Sequence, residues 1–345
     1  MAEEKNIAVL MGGISPERKI SLQSGKAVAN ALEQTDNHVI KIVVNDDLVS
    51  ELDNYKIDVA FVALHGYFGE DGGIQEVLES KDIPYTGSGV LASRLTMDKV
   101  KSKDIFKENN IPTPDYFTVS TTQSMSEIVK SVKNLKLPVV IKPISNGSSI
   151  GISVISEYDE LSDAIKHTGS HNTEVLIEKY IEGRELTVSI LDDKALPVIE
   201  IKTATGFYDY DAKYKSKNTQ YIILESAEES SECTLTHAVY DRVQELAIRA
   251  HNSLGCRTFS RVDMILGNDG EIYIFEVNTI PGFTERSLLP KAAAAANISF
   301  TELCSIIVDA AFKYNSSPAR STGLSGREQT IRAGIQDKKA ARIST

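Results

Sequence analysis

The chain has 345 residues, of which 41% are hydrophobic and 25% are charged, and its net charge at pH 7 is −11. This length predicts two or three domains, and this composition excludes a wholly disordered, collagen-like or membrane-spanning chain. The acidic excess argues against nucleic acid as a partner, because nucleic-acid phosphates require a basic surface.

Strands and helices alternate over the first 95 residues, which predicts an α/β unit with a parallel sheet. Four apolar runs are typical of strands: Asn6–Met11, His38–Val44, Val59–Leu64 and Ile83–Tyr85. Two segments have the spacing of apolar residues that is typical of helices: Ser21–Leu32 and Gly73–Ser80.

A second unit follows the lysine-rich helix pattern of Met97–Asn109, because two prolines interrupt the sequence IPTPDYFTV and indicate a linker. Its predicted strands are Pro138–Ile141, Gly151–Ile155 and Glu174–Glu178. The third unit has predicted strands at Glu185–Leu191, Arg261–Leu266 and Glu271–Val277, and a final helix at Phe300–Tyr314. The Ser-, Gly- and Arg-rich segment that follows is expected to be a basic, disordered tail.

The sequences SRVDMIL and EIYIFEVN flank the turn GNDG and predict a β-hairpin. If Leu266 pairs with Glu271, Arg261 lies opposite Glu276 and Asp263 opposite Ile274. One face then carries Arg261, Asp263, Glu276 and Asn278, and the other carries the expected core residues Val262, Met264, Tyr273, Phe275 and Val277. The polar face is either a solvated ion-pair surface or a magnesium site, because Mg²⁺ prefers oxygen ligands.

Three further polar side chains follow predicted strands. Lys142 ends an apolar strand, where burial of an ammonium is costly in free energy unless an anion pairs with it. The small-residue loop 146–151 that follows is either an ordinary turn or a loop whose backbone N–H groups bind phosphate. Glu17 and His65 follow strands of the first unit, where open α/β sheets bind ligands, although helix capping and a structural histidine are the alternatives. The pattern Gly87-x-Gly89-x-x-Ala92 follows a late strand of its unit, so a nicotinamide site is not expected.

Eight segments in order resemble the D-alanine–D-alanine ligases of the ATP-grasp fold. They are GGISPERKISLQSG, ALHGYFGEDGGIQEVLE, IPYTGSGVLASRLTMDK, VVIKPISNGSSIGIS, LIEKYIEGRELTV, GFYDYDAKY, RVDM and FEVNTIPGFTERSLLPK. The resemblance spans about residues 6–312 and implies an α/β protein of three domains: 1–97 with the parallel sheet, 98–184, and 185–314. The tail 315–345 belongs to none of the motifs.

The resemblance also implies which residues form the site. ATP is expected at Lys99, Lys142, Ser149, Gly151, Glu178, Lys179, Glu185 and Lys213, and two Mg²⁺ ions (with Mn²⁺ as a substitute) at Asp263, Glu276 and Asn278. The catalytic group is expected to be Glu17, Ser148, Tyr214, Arg261 and Gly282, and the substrate contacts His65, Ser287 and Leu288. Tyr214 lies in a lid, 206–221, whose sequence favours an amine over a hydroxyl nucleophile.

The implied reaction has two steps: the carboxylate of one D-alanine takes the γ-phosphoryl group of ATP, and the amino group of a second D-alanine then attacks the acyl phosphate. The product, D-alanyl-D-alanine, serves peptidoglycan synthesis. A ligase of D-lactate or another acceptor is the alternative, and a non-catalytic nucleotide-binding protein is disfavoured because every implied ligand is present.

Targeting features and cysteines indicate a cytoplasmic protein. The acidic start MAEEKNIAVLMGG does not have the pattern of a signal peptide, and the apolar runs are shorter than the about 18 residues of a membrane helix. Cys233, Cys256 and Cys304 are expected to be buried free thiols. No membrane partner is expected, and the family resemblance implies a homodimer.

Overall fold

The computed structural model describes residues 4–45, 48–145, 151–169, 174–203 and 218–315. The helices of this part of the chain are α1 (Arg18–Leu32), α2 (Leu48–Leu52), α3 (Gly73–Ser80), α4 (Val90–Met97), α5 (Lys99–Glu108), α6 (Met125–Leu135), α7 (Leu161–Thr168), α8 (His237–Ser253), α9 (Leu288–Ala295) and α10 (Phe300–Asn315).

The strands are β1 (Asn6–Gly12), β2 (His38–Val44), β3 (Val59–Val62), β4 (Tyr116–Ser120), β5 (Val139–Pro143), β6 (Ser153–Ile155), β7 (Glu174–Lys179), β8 (Gly183–Leu191), β9 (Lys194–Ala195), β10 (Ile199–Lys202), β11 (Gln220–Ile223), β12 (Glu225–Ala227), β13 (Thr234–Thr236), β14 (Phe259–Gly267) and β15 (Ile272–Asn278). The strands and helices expected from the sequence are present, except that Ile83–Tyr85 forms only a single bridge, from Tyr85 to Ala60.

The first sheet is parallel, with the order β2-β1-β3, as the alternating pattern predicts. Every residue of β3 is buried, and so is every residue of β1 after Asn6, which is expected of parallel strands covered on both faces. Helix α1 packs on β1 so closely that a methyl group on Gly25 would lie 2.4 Å from Cβ of Met11. Because β1 and β3 pair in parallel, their carboxyl ends lie side by side, and Glu17 and His65 follow them.

The second sheet is antiparallel, with the order β4-β7-β5-β6. Val139, Ile141, Val175 and Ile177 face α6 and α7 and form a small core. The opposite face of β5 and β7 carries Val140, Lys142, Leu176 and Glu178. This face looks toward the third sheet, since Nζ of Lys142 lies 5.7 Å from the ring centre of Phe275 in β15.

The third sheet has the order β11-β10-β8-β14-β15, with β9 beside β8. Helix α8 covers one face, and sequence analysis missed this helix. Its signals are Thr236, whose hydroxyl accepts the Val239 N–H, and buried side chains at helical spacing. These are Val243, Leu246, Ala247 and Ala250.

The expected register of the β14–β15 hairpin is wrong. Leu266 pairs with Ile272, because the turn takes one more residue, and the register shifts again between Asp263 and Met264. As a result Arg261 lies opposite Asn278 and Asp263 opposite Glu276. The polar face keeps its four residues, but Ile272 and Ile274 fill the core positions that were assigned to Tyr273 and Phe275.

The core around the first sheet also contains residues from the far end of the chain. Leu303, Ile307 and Val308 of α10 are buried in it, and Phe283 packs edge-on against Phe61 at 5.1 Å and Phe259 at 5.6 Å between ring centres. In the part of the chain that the structure describes, no single helix has the length and apolarity to cross a membrane; α9 and α10 meet both criteria only as a pair bent by 104°.

Candidate active site

A cleft of about 320 Å³ opens where the carboxyl end of the first sheet meets β14, β15 and the segment before α9. Nine of the residues expected at the site line this cleft: Glu17, His65, Lys99, Arg261, Glu276, Asn278, Gly282, Ser287 and Leu288. They come from widely separated parts of the sequence, and the packing of the first sheet, the third sheet, α5 and the start of α9 brings them to one place.

Glu17 is held at the end of the first sheet with only 8% of its surface exposed. Its N–H donates to Oγ of Ser15 at 3.1 Å, and that hydroxyl donates to the carbonyl oxygen of His65 at 2.6 Å. Gly66 has a positive φ of 71°, and a Cβ there would lie 2.6 Å from Oε2 of Glu17. Only glycine allows the carboxylate to lie against this backbone.

His65 is buried and links the first sheet to the segment after β15. Its Nδ1 lies 3.1 Å from the carbonyl oxygen of Ile280 and its Nε2 lies 3.0 Å from Oγ of Ser24. A carbonyl can only accept, so Nδ1 carries the proton and Nε2 accepts from the serine. Burial lowers the pKa of His65 to about 4, and the Arg261 guanidinium acts in the same direction. His65 is therefore neutral at physiological pH.

Glu70 lines the same cleft, and sequence analysis did not single it out. The N–H of Gly66 donates to its Oε2 at 2.8 Å. Burial and the nearby carboxylates of Glu17 and Glu276 raise the pKa of Glu70 well above its usual value, more than the Gly66 N–H and Arg261 lower it. The sequence signal for Glu70 is its spacing of four residues from Gly66 in HGYFGEDG. The N–H of Glu70 donates to the carbonyl oxygen of Gly66, and this turn brings the carboxylate back to the Gly66 N–H.

The polar face of the hairpin holds two carboxylates in neighbouring positions. Asp263 accepts two bonds from Arg261, at 2.9 Å to Oδ1 and 2.7 Å to Oδ2, and a third from Thr187 Oγ1 at 2.6 Å. Glu276 lies directly across the strand pair from it. Thr187 was not expected at the site, and only the pairing of β8 with β14 brings it there.

This donor set fits a hard divalent cation. Asp263 and Glu276 are directly paired across the two strands. The Cβ atoms of two residues paired in this way lie about 5 Å apart on the same face of the sheet. Asn278 uses Oδ1 to accept the N–H of Ile280 at 2.9 Å, and an amide oxygen has a second lone pair. Two carboxylates and an amide oxygen are the ligand types that Mg²⁺ prefers.

The segment before α9 brings Gly282 against Ser287. A Cβ on Gly282 would lie 2.6 Å from the Ser287 hydroxyl oxygen, so glycine is required by the close approach. That oxygen accepts the N–H of Thr284 at 3.1 Å and stands at the N-terminal cap of α9, next to Leu288. Ser287 and Leu288 at the helix start line the cleft, and the N–H groups at the start of a helix suit a carboxylate.

The lysines expected at ATP lie on two elements. Lys99 begins α5 and is buried in the cleft wall, and its N–H donates to the carbonyl oxygen of Ile144 after β5. Lys142 is buried on the face of the second sheet that looks toward the third sheet. An anion pairs with it, as expected for a buried lysine: Oε1 of Glu178 lies 2.5 Å from its Nζ. Lys179 ends β7, and Glu185 lies in β8 opposite Ile265.

Four expected residues lie outside the described ranges: Ser148, Ser149, Lys213 and Tyr214. Gly151 is described, and its positive φ of 77° favours glycine. Of the cysteines, Cys256 and Cys304 are buried free thiols as expected, whereas Cys233 is exposed, because it lies in the turn before β13 rather than against a core.

Comparisons with known proteins decide the family. A model described as the D-ala D-ala ligase C-terminus matches residues 105–309, and a model of the N-terminus of that ligase matches residues 45–88. A D-alanine–D-alanine ligase of Anaeromyxobacter sp. (strain K) is 45% identical over 307 residues, which cover 89% of this chain and 97% of the relative. The chain belongs to the D-alanine–D-alanine ligase family.

Solved structures of the family confirm the ATP-grasp fold. The ligase from Bacillus anthracis complexed with ATP has a TM-score of 0.79 at 34% identity and covers 90% of this chain and 98% of its own. The VanG D-Ala:D-Ser ligase from Enterococcus faecalis has a TM-score of 0.76 at 30% identity and covers 90% and 100%. The α/β class, with a parallel N-terminal sheet, is confirmed as well.

Proposed function

We propose that this chain uses ATP to join two molecules of D-alanine, forming D-alanyl-D-alanine, ADP and phosphate, and so supplies peptidoglycan synthesis. The observation that carries the proposal is the cleft, where a carboxylate, a guanidinium and a glycine–serine segment from three parts of the chain border one space. A dipeptide ligase needs these same three kinds of group, for an ammonium, for an oxyanion and for a carboxylate.

In the first step, the carboxylate of one D-alanine attacks the γ-phosphorus of ATP, and ADP leaves. Glu17 binds the ammonium of this D-alanine, because its buried carboxylate is oriented by the Gly66 backbone. His65 is neutral and bonded at both nitrogens, so it shapes the wall of the site that receives this D-alanine and takes no part in proton transfer. The product of this step is D-alanyl phosphate.

In the second step, the amino group of another D-alanine attacks the carbonyl carbon of D-alanyl phosphate. The negative charge that develops on the carbonyl oxygen is met by Arg261 and the N–H of Gly282. Ser287 and the N–H of Leu288 bind the carboxylate of the second D-alanine at the start of α9. Phosphate then leaves with the electron pair of the acyl C–O bond, the attacking nitrogen loses a proton, and the amide bond is complete.

The remaining groups bind and shield ATP. Lys99, Lys142 and Lys213 meet its phosphates, the loop with Ser149 and Gly151 closes on them, and Glu178, Lys179 and Glu185 bind adenosine. Asp263, Glu276 and Asn278 would hold two Mg²⁺ ions, or Mn²⁺ in their place, which neutralise charge on the transferred phosphoryl group. Ser148 and Tyr214 connect the lid to Glu17, and the closed lid excludes water from D-alanyl phosphate.

A second candidate function differs only in the acceptor. The likeness to a D-Ala:D-Ser ligase supports D-serine as the second substrate in place of D-alanine. D-Lactate is the other alternative acceptor. We also propose that the protein is a homodimer in the cytoplasm.

The test is product identification by mass spectrometry with ATP, Mg²⁺ and an equal mixture of D-alanine, D-serine and D-lactate. We expect D-alanyl-D-alanine to dominate, with one phosphate released per dipeptide. A dominant D-alanyl-D-serine or D-alanyl-D-lactate would replace the proposed acceptor, and equal phosphate release with L-alanine would refute the D-amino acid substrate.

A further inference from the structure

Lys103 is a buried lysine for which the proposed reaction has no use. It lies in α5, one turn after Lys99, and none of its surface is exposed. Its Nζ donates to Oγ1 of Thr113 at 2.8 Å and lies 2.8 Å from Oε2 of Glu178. Burying an ammonium so completely costs several kcal/mol, so the charge has to be paired where it lies.

Glu178 joins Lys103 to Lys142. Oε2 faces Lys103, Oε1 lies 2.5 Å from Nζ of Lys142, and the carboxylate is 5% exposed. Burial alone would raise the pKa of Glu178, but the two ammonium groups lower it to about 2. The three side chains form a buried row with the charges +1, −1 and +1.

The net charge of this row depends on Lys103. With Lys103 charged, the row carries one positive charge in excess, and Lys142 provides the end of the row that faces Phe275 and the third sheet. Without Lys103, Glu178 and Lys142 are a closed neutral pair, and Lys142 can reach a phosphate only by leaving a buried carboxylate unpaired. Such an uncompensated charge is strongly unfavourable.

We propose that Lys103 is a positioning residue that keeps Lys142 available to the phosphates of ATP by sharing Glu178 with it. The proposal rests on the nucleotide site assigned above to Lys142. Lys103 acts through Glu178 and touches no substrate.

The pH dependence of ATP binding is expected to follow from this row. Burial lowers the pKa of Lys103 to about 8, which the Glu178 carboxylate opposes and the Lys142 and Lys107 ammonium groups reinforce. The pKa of Tyr116, whose ring lies 5.2 Å from the Lys103 ammonium, is raised far above this range. Affinity for ATP should therefore fall above about pH 8, as Lys103 loses its proton.

The experiment compares Lys103→Met with Lys107→Met. Lys107 is exposed on the same helix, and its ammonium also lies over Tyr116, at 4.2 Å from the ring centre, so it is a matched control. Binding of a non-hydrolysable ATP analogue with Mg²⁺ is measured by calorimetry at pH 7 and pH 9, without D-alanine. Kinetic constants for ATP and for D-alanine are measured in parallel.

For Lys103→Met we expect Kd and KM for the nucleotide to rise at least about tenfold at pH 7. The kcat and the KM for D-alanine should stay within threefold of the parent. The Kd of the analogue should no longer differ between pH 7 and pH 9. Lys107→Met should behave as the parent does. An unchanged Kd for the analogue would overturn the proposal. So would a fall in kcat and a rise in KM for D-alanine that are as large as the rise in KM for the nucleotide.

Two further measurements keep the proposal testable if Lys103→Met folds poorly. In the parent protein, an equal Kd at pH 7 and pH 9 would overturn it. In the double variant Lys103→Met/Glu178→Gln, binding is measured with inorganic triphosphate and Mg²⁺ in place of the nucleotide, because Glu178 is also proposed to bind adenosine. Removing the carboxylate should recover part of the affinity that Lys103→Met loses for triphosphate, since it releases Lys142; strictly additive losses would overturn the proposal. If the parent bound no nucleotide at all, the proposed function itself would fail, which is a distinct result.

Discussion

At the scale of single residues, the site depends on charges that are buried and paired. Asp263 accepts hydrogen bonds from Arg261 and Thr187, Glu178 forms ion pairs with two lysines, and Glu70 lies among other carboxylates. The chemistry of each residue is thus set by its neighbours, and several of these, such as Thr187 and Lys103, come from other elements. Two residue-scale predictions follow from such neighbours.

Glu276→Gln should lower turnover by about 100-fold or more, because it removes a proposed metal ligand, and even residues behind a ligand are worth roughly 10–100-fold. Phosphate release in the presence of D-alanine measures the effect, and excess Mg²⁺ should recover part of it. Glu271→Gln, in the exposed turn of the same hairpin, is the matched control. Unchanged turnover in Glu276→Gln would refute the metal assignment.

His65 should make stability fall in mild acid. Its pKa is about 4 in the folded protein against 6.5 ordinarily, so below pH 6.5 the unfolded chain gains a proton that the folded chain does not. The stability contributed by neutral His65 is complete above about pH 6.5 and is lost as the pH falls toward 4, by ~3 kcal/mol in all.

Urea unfolding between pH 4.5 and 7.5 measures this dependence. His65→Gln retains a donor and an acceptor but does not titrate, so its unfolding free energy should change less with pH than that of the parent. Equal slopes in His65→Gln and the parent would contradict the prediction.

At the scale of elements, the close fit of α1 to β1 positions Glu17, which directly precedes the helix. Gly25→Ala tests this fit, because two effects oppose each other. Helix propensity favours alanine by about 1 kcal/mol, but the new methyl group would lie 2.4 Å from Cβ of Met11. Overpacking of this kind costs ~1–3 kcal/mol, and Cβ of Met11 cannot move without its strand.

We therefore expect Gly25→Ala to lower the melting temperature and to raise KM for D-alanine, as the helix shifts away from the sheet and carries Glu17 with it. Asn30→Ala, on the exposed side of the same helix, should leave the melting temperature unchanged or raise it slightly. A more stable Gly25→Ala variant would mean that the helix accommodates the methyl group.

At the scale of the whole molecule, the end of the chain completes the core at its beginning. Leu303, Ile307 and Val308 of α10 are buried against the first sheet, and three such side chains contribute roughly 5–9 kcal/mol. This is comparable to the about 5–15 kcal/mol by which a typical protein is stable. A chain that ends at Ser299 should therefore fail to fold cooperatively, as judged by its thermal transition.

Removal of the residues after Asn315 should have no such effect. The curated relative from Anaeromyxobacter matches over 97% of its own length but only 89% of this chain, and the match to the C-terminal family model ends at residue 309, before the tail. A chain that ends at Asn315 should retain the melting temperature and turnover of the full chain. A large loss of turnover would assign the tail a role in catalysis.

The sequence by itself indicated many of the elements, although not α8, and its resemblance to the family supplied the proposed site residues. Parallel strands buried on both faces, the hairpin turn and the lysine at the end of β5 all leave local patterns, and eight such patterns in order indicated the ligase family. Tertiary structure decided the rest. A longer turn and a shift after Asp263 change the hairpin register, β8 brings Thr187 to Asp263, and α10 returns to the first sheet. Lys103 shows the reason: its place in an amphipathic helix is visible in the sequence, but the partner of its charge lies 75 residues away in a strand, and only packing determines which charges meet.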